Sequence, residues 1–178
     1  IRQGAVTLMG QPLRRSPSAR YLGFEIPANL SFQPQIDHLK SRMVKIIGLV
    51  RSLAHMTSRK NKLTIYKTCV RSLFEYGAPI LACGTATDKR QIVTCFMTPL
   101  KRLLQVPVWF SNHQLCTELG IDHPLDRLES LARQFVEKCA NSENNIPRAL
   151  LQQPVPAPDH LVRHRNIAVQ WQALLDPG

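Results

Sequence analysis

The chain has 178 residues, 44% of them hydrophobic and 20% charged, enough apolar material for one domain with a real core and too much for wholesale disorder. No apolar run approaches the roughly 18 to 20 residues that cross a bilayer, and no charged start leads into a short apolar core as in a signal peptide, so a soluble, non-secreted protein is expected. Twenty-three Lys and Arg oppose twelve Asp and Glu, and the excess is lopsided: residues 1–112 carry +13 and residues 113–178 carry −2. That partition suits a surface built for a polyanion better than a charge spread for solubility.

Taken in chain order, residues 5–27 alternate and turn, with Val6, Leu8 and Leu13 around a Gly-Gln-Pro turn and then Tyr21, Leu22, Phe24 and Ile26, as short β-strands do. Pro27 and Asn29 stop the strand and Pro34 opens a helix. Through Met56 its apolar positions, Ile36, Leu39, Met43, Ile46, Ile47, Val50, Leu53 and Ala54, keep a 3.6-residue period. A second helix, capped by Thr57 or Ser58, runs through Leu63, Tyr66, Val70, Leu73 and Phe74 to about Gly77, where Pro79 stops or kinks it. Thr87 or Asp88 can cap a third that buries Ile92, Cys95, Phe96, Leu100, Leu103 and Leu104, with Pro99 bending or splitting it. "HQLCTELG" is a short helix ended by Gly120, and Pro124 to Ala140 forms another. "NSENNIPRALLQQPVPAPDH" has the composition of an extended linker, and "LVRHRNIAVQWQALL" that of a short final helix. The expected fold is mostly α: a β-hairpin over residues 1–33, a bundle of five to six helices over 34–145, and a Pro-rich linker with a short helix over 146–178.

Five cysteines, Cys69, Cys83, Cys95, Cys116 and Cys139, are odd in number, form no C-x-x-C pair and lie in or beside apolar helices, which reads as buried thiols. His160 and His164 have i, i+4 spacing but no Cys or carboxylate cluster beside them to complete a metal site. The chain has no G-x-S-x-G, P-loop or G-x-G-x-x-G, and no pair of carboxylates placed for acid–base work or for paired magnesium ions. No catalytic residue is expected in it.

The positive signal is cationic. At 100° per residue Lys60, Lys67 and Arg71 fall within about 40° of one another along roughly 16 Å of the second helix, with Thr64 and Thr68 beside them, as a run of phosphates requires. Arg51, Arg59 and Lys62 lie in or near the preceding turn, Arg14, Arg15 and Arg20 flank the hairpin turn, and Lys101 with Arg102 ends the third helix. Together they form the candidate nucleic-acid-binding set. Tyr66 and Tyr76 read as core, and Trp109 and Phe110 as a loop packed on the bundle, with base stacking as the alternative.

These residues carry a likeness. "VTLMGQPLRRSPSARYLGFEIPANLSFQPQIDHL" resembles the segment that closes the palm in non-LTR (LINE-type, jockey-like) retrotransposon reverse transcriptases: a hairpin, a Tyr-Leu-Gly strand, and a long helix. "KNKLTIYKTCVRSLFEYGAPILACG" is similar to the next helix, with Leu63, Tyr66-Lys67, Arg71 and Tyr76-Gly77-Ala78-Pro79 in the family's order, and "PLKRLLQVPVWFSNHQLCTELGI" to the piece after it. The match is collinear over residues 5–150. It implies a thumb-like region that follows the palm and grips the template–primer duplex by its backbone in an intracellular, nuclear setting. The implied partners are an RNA template or RNA–DNA duplex and an upstream polymerase palm, with no membrane. The family's metal-binding palm aspartates have no counterpart, since the chain holds no Asp-Asp, so magnesium is expected only in a palm outside it and the chain is expected to be a C-terminal fragment or a derivative. The Cys/His knuckle of some relatives is also missing, and Pro99 interrupts a helix that is usually uninterrupted. A second reading is a protein-interaction or scaffold module, in which the acidic C-terminal third, with Asp122, Asp126, Glu129 and Glu137, is the working surface or docks on the basic part.

Overall fold

The computed structural model describes residues 7–12, 16–28, 31–53, 55, 58–152 and 167–175. Arg14, Arg15, Thr57, the His160–His164 pair and the Pro-rich 153–160 stretch lie outside them.

Two antiparallel hairpins come first: β1 (Thr7–Leu8) with β2 (Gln11–Pro12), and β3 (Ser18–Tyr21) with β4 (Phe24–Pro27). Each closes on two residues of positive φ, Met9 (50°) with Gly10 (79°) and Leu22 (48°) with Gly23 (84°), the turn whose twist matches that of its strands. The Tyr-Leu-Gly expected as strand is therefore the corner of a hairpin: Tyr21 pairs with Phe24, and Leu22-Gly23 is the turn.

Nine helices follow among the described residues. α1 (Gln33–Leu53) buries Ile36, Leu39, Met43 and Val50, the stripe its spacing predicts, and lies along α5 (Ala86–Leu104). α2 (Arg59–Ile65) starts at Ser58, whose Oγ accepts the Asn61 N–H. The regular helix expected to continue to Gly77 instead widens into a π-helical segment, Tyr66–Arg71, before α3 (Ser72–Glu75) and α4 (Ala78–Leu81). Tyr66, Val70 and Phe74 are spaced by four and all buried. A 3.6-residue helix would rotate such a series steadily off the core, whereas a wider turn with i→i+5 bonding keeps it in line.

α5 is capped by Thr85 rather than by Thr87 or Asp88. The Thr85 hydroxyl accepts the Asp88 N–H and the Asp88 carboxylate accepts the Thr85 N–H, a closed reciprocal pair. Pro99 neither splits nor ends the helix. It is buried, with Phe96, Leu100 and Leu103 around it, and that shared apolar face offsets the roughly 3 kcal/mol an interior proline costs. α6 (Asn112–Leu119) ends on left-handed Gly120, and α7 (Pro124–Ala140) has the bounds its sequence predicts. Residues 145–152, expected as linker, form α8 (Asn145–Gln152), because Leu151 buries itself under the bundle. α9 (Ile167–Leu175) packs on α7 through an edge contact of Trp171 with Phe135. Cys83, Cys95 and Cys116 are buried as expected, but Cys69 is exposed on the π-helical segment.

Candidate nucleic-acid interface

The cations expected on one surface divide into two groups. Lys60 and Lys67 are exposed, whereas Lys62, about 160° round the helix from Lys60, is half-buried. Their neighbours Thr64 and Thr68 donate their hydroxyls to their own helix, to Lys60 O at 3.2 Å and Thr64 O at 2.9 Å, so only hydroxyl lone pairs face outward and the cations must carry any attraction for phosphate.

Arg71 turns inward. Its side chain is 14% exposed, and its Nε and Nη2 donate to Glu75 Oε1 at 3.0 and 2.7 Å. Arg127 on α7 donates to the same oxygen at 2.9 Å, so the trio ties α3 to α7. Burial pushes the Glu75 carboxyl up, but the hydrogen bonds and charges of Arg127 and Arg71 outweigh it and hold the group below the ordinary carboxylate range. Lys101 is also spent inside. Only 5% exposed, it donates to Val108 O at 2.8 Å and Phe110 O at 2.5 Å, clamping the loop that follows α5. Arg59 reaches Glu118 O at 3.3 Å, and Arg20, exposed on β3, stands across from Glu25 on β4. Among acidic residues of α7, Glu129 pairs with Lys89 of α5 at 3.2 Å.

Tertiary packing does bring together Arg51 and Arg102. The ends of α1 and α5 converge on a cleft of about 390 Å³ lined by Arg51, His55, Arg102, Gln105 and Val108. Gln105 terminates α5 in the left-handed conformation (φ 60°, ψ 31°), and its Nε2 lies 2.9 Å from His55 Nδ1. The Lys101 clamp holds Val108 at the cleft wall and leaves Trp109 85% exposed, while Phe110 packs on the core. The loop thus divides its aromatics, one in and one out, where packing of both was expected. His55 and Gln105 were missed by sequence reasoning; the only hint was a non-glycine residue between an obvious helix end and Val106-Pro107.

A second cleft, about 410 Å³ and almost wholly apolar, lies where the β3–β4 hairpin meets α4, α7 and α9. Here the two motifs that carried the likeness meet. The Phe24 ring stacks on Tyr76 with centroids 5.9 Å apart at 20°, and the Tyr76 hydroxyl donates to Leu22 O at 3.1 Å. Gly77 lies under the same ring, where a Cβ would stand 2.9 Å from Phe24 Cε1 and nearer still to Cζ. Trp171 Nε1 donates to Pro79 O at 3.0 Å. Tyr76 is therefore not core, as expected, but a 67% exposed clasp between the hairpin and the helices. Among the described residues, no three His, Cys, Asp or Glu side chains gather to hold a metal ion, and no helix is long and apolar enough to cross a membrane.

No model of a known protein family matches the chain, and no solved structure matches it. Two curated proteins of Drosophila melanogaster do. One is named "Probable RNA-directed DNA polymerase from transposon X-element", 25% identical over 146 residues, or 78% of this chain. The other is the RNA-directed DNA polymerase from mobile element jockey, 20% identical over 149 residues, or 82% of this chain. The chain spans only 16% of the length of each. Over most of its own length it is similar to the RNA-directed DNA polymerases of non-LTR retrotransposons, in agreement with the likeness of its motifs.

Proposed function

We propose that the chain is a thumb-like, non-catalytic part of such a polymerase, gripping a template–primer duplex by its sugar–phosphate backbone without reading its sequence. The observation that carries this reading is the exposure of Lys60, Lys67, Arg51 and Arg102, which among the described residues have no carboxylate partner although Glu75 and Glu129 are engaged elsewhere. Cations left unneutralised on neighbouring elements attract phosphates and release counterions when they bind them. The apolar cleft beside the β3–β4 hairpin supports a contact with an upstream palm, since a two-stranded sheet is marginal alone and this one leaves Tyr21, Leu22 and Ile26 exposed at its rim.

The test is duplex binding across a salt series. Log affinity should fall linearly with log salt, with a slope of about −0.9 per phosphate contacted. K60E/K67E should weaken binding at least about tenfold, equally for unrelated sequences, and flatten the slope. Equal binding by parent and double variant at 150 mM salt, an ionic strength at which screening acts over about 8 Å, removes these lysines from the interface. The same apolar cleft favours a second reading, a protein-binding module. Capture of a partner that survives nuclease and high salt, with no duplex binding, would decide for it.

A further inference from the structure

We infer that the cleft between the ends of α1 and α5 is a built seat for a single phosphate group of a nucleic-acid strand, held by Arg51 from the one helix and Arg102 from the other. The inference rests on the backbone-gripping reading above and adds to it one discrete, residue-defined contact.

Three observations carry it. First, the cleft is cationic: two guanidinium groups line it beside the Gln105 amide and the His55 imidazole, which hold each other, with no carboxylate among the lining residues. A planar carboxylate is satisfied by one guanidinium fork, whereas a tetrahedral phosphate has oxygens left for a second fork on the other side. Second, neither the Arg51 nor the Arg102 side chain has a hydrogen-bond or ion-pair partner among the described residues, unlike those of Arg71, Arg127 and Lys101, which are all engaged. Third, Gln105 occupies a position where glycine is the default. α6 ends in the same left-handed conformation, and there the residue is Gly120, also at φ 60°. A side chain at φ 60° strains the backbone, so what Gln105 contributes is the amide. That amide, 2.9 Å from His55 Nδ1, fastens the turn just beyond α1 to the end of α5 and so holds together the two elements that carry Arg51 and Arg102.

Gln105 is thus a positioning residue, and its substitution separates a phosphate seat from a mere tie between helices. R51A and R102A alter exposed side chains and should leave Tm unchanged. Each should weaken binding of a 12-base-pair duplex about three- to tenfold at 100 mM salt and lower the salt slope by about one phosphate. Q105G suits the left-handed backbone, so Tm should hold or rise, while duplex affinity falls as in the arginine variants. Inorganic phosphate, followed by the Nε–H resonances of Arg51 and Arg102, should shift both saturably in the parent and neither in Q105G. Exposed Trp109, next to the cleft wall, gives a second readout: its fluorescence should change on duplex binding and revert when phosphate competes.

If the parent binds duplex, K60E/K67E weakens it, and R51A, R102A and Q105G bind like the parent, the seat is refuted while the broader grip stands. If the parent binds no nucleic acid, the broader reading fails, and the strand as source of the phosphate fails with it even where inorganic phosphate shifts the arginines. Binding to phosphoinositide vesicles through the same arginines, uncontested by oligonucleotides, would assign the seat to a lipid headgroup and overturn the inference.

Discussion

Gly77→Ala probes the junction where the two likeness-bearing motifs meet. Gly77 has φ −99° and ψ 12°, which alanine can adopt, so the backbone itself carries no penalty. Alanine also has a smaller unfolded-state entropy, a gain of about 0.4–1 kcal/mol, offset by its being a poorer residue than glycine at a helix N-cap. With these terms nearly cancelling, the steric one decides. The added Cβ would stand 2.9 Å from Phe24 Cε1 and closer to Cζ, separations real Cβ atoms do not show, so the ring must leave its stack on Tyr76. Overpacking of this kind costs about 1–3 kcal/mol, which becomes the expected loss in urea unfolding. A double-mutant cycle isolates the cause: in a Phe24→Ala background the space is open, and Gly77→Ala should cost no more than about 0.5 kcal/mol. Additive losses in the cycle would refute the steric account and leave Gly77 as a turn former only.

Other outcomes follow from the same geometry. Lys101→Met should remove about 2 kcal/mol of stability, because Val108 O and Phe110 O lose their donor, and amide exchange should quicken over residues 106–110; an unchanged loop would mean the clamp is incidental. Glu75 has a folded-state pKa below its unfolded value, so the stability it contributes is present above the unfolded pKa, about 4.3, and is lost as pH falls through the lower folded value. Glu75→Gln should therefore flatten the acid limb of the stability profile, and an identical limb in the variant would contradict the pairing. Among the thiols, Cys69 should react with a disulfide reagent in the native protein, while Cys83 should wait for unfolding, since burial both covers it and pushes its thiol up to about 11. Prompt labelling of Cys83 would show that α4 is not packed as described.

The helices were largely legible because their signals are local. The apolar period of α1, the Pro124 start of α7 and the Gly120 stop of α6 each depend on residues within a turn or two of one another. The errors lie where a distant contact overrides the local preference. Pro99 is expected to bend or split its helix, and α5 runs on unsplit because its buried face holds it; residues 145–152 read as linker, yet Leu151 finds a place in the core; the four-residue spacing of Tyr66, Val70 and Phe74 looked like an ordinary stripe and widened its helix instead.

The candidate surface divides in the same way. Charge counts along the chain established that the leading part is cationic, and motif order pointed to polymerases of non-LTR elements, since both are properties of linear order. Which cations face outward is a different kind of fact. Arg71 and Lys60 look alike in sequence, but Glu75, whose carboxylate Arg127 shares, draws one of them inward, and Lys101 differs from its neighbour Arg102 only by 100° of helix rotation and two loop carbonyls. The pairing of Arg51 with Arg102 and the meeting of Phe24 with Gly77 join residues about fifty positions apart. Only the packing of α1 on α5, and of the hairpin on α4, brings them within reach, because side-chain attraction falls off over a few ångströms while sequence distance carries no information about separation in space.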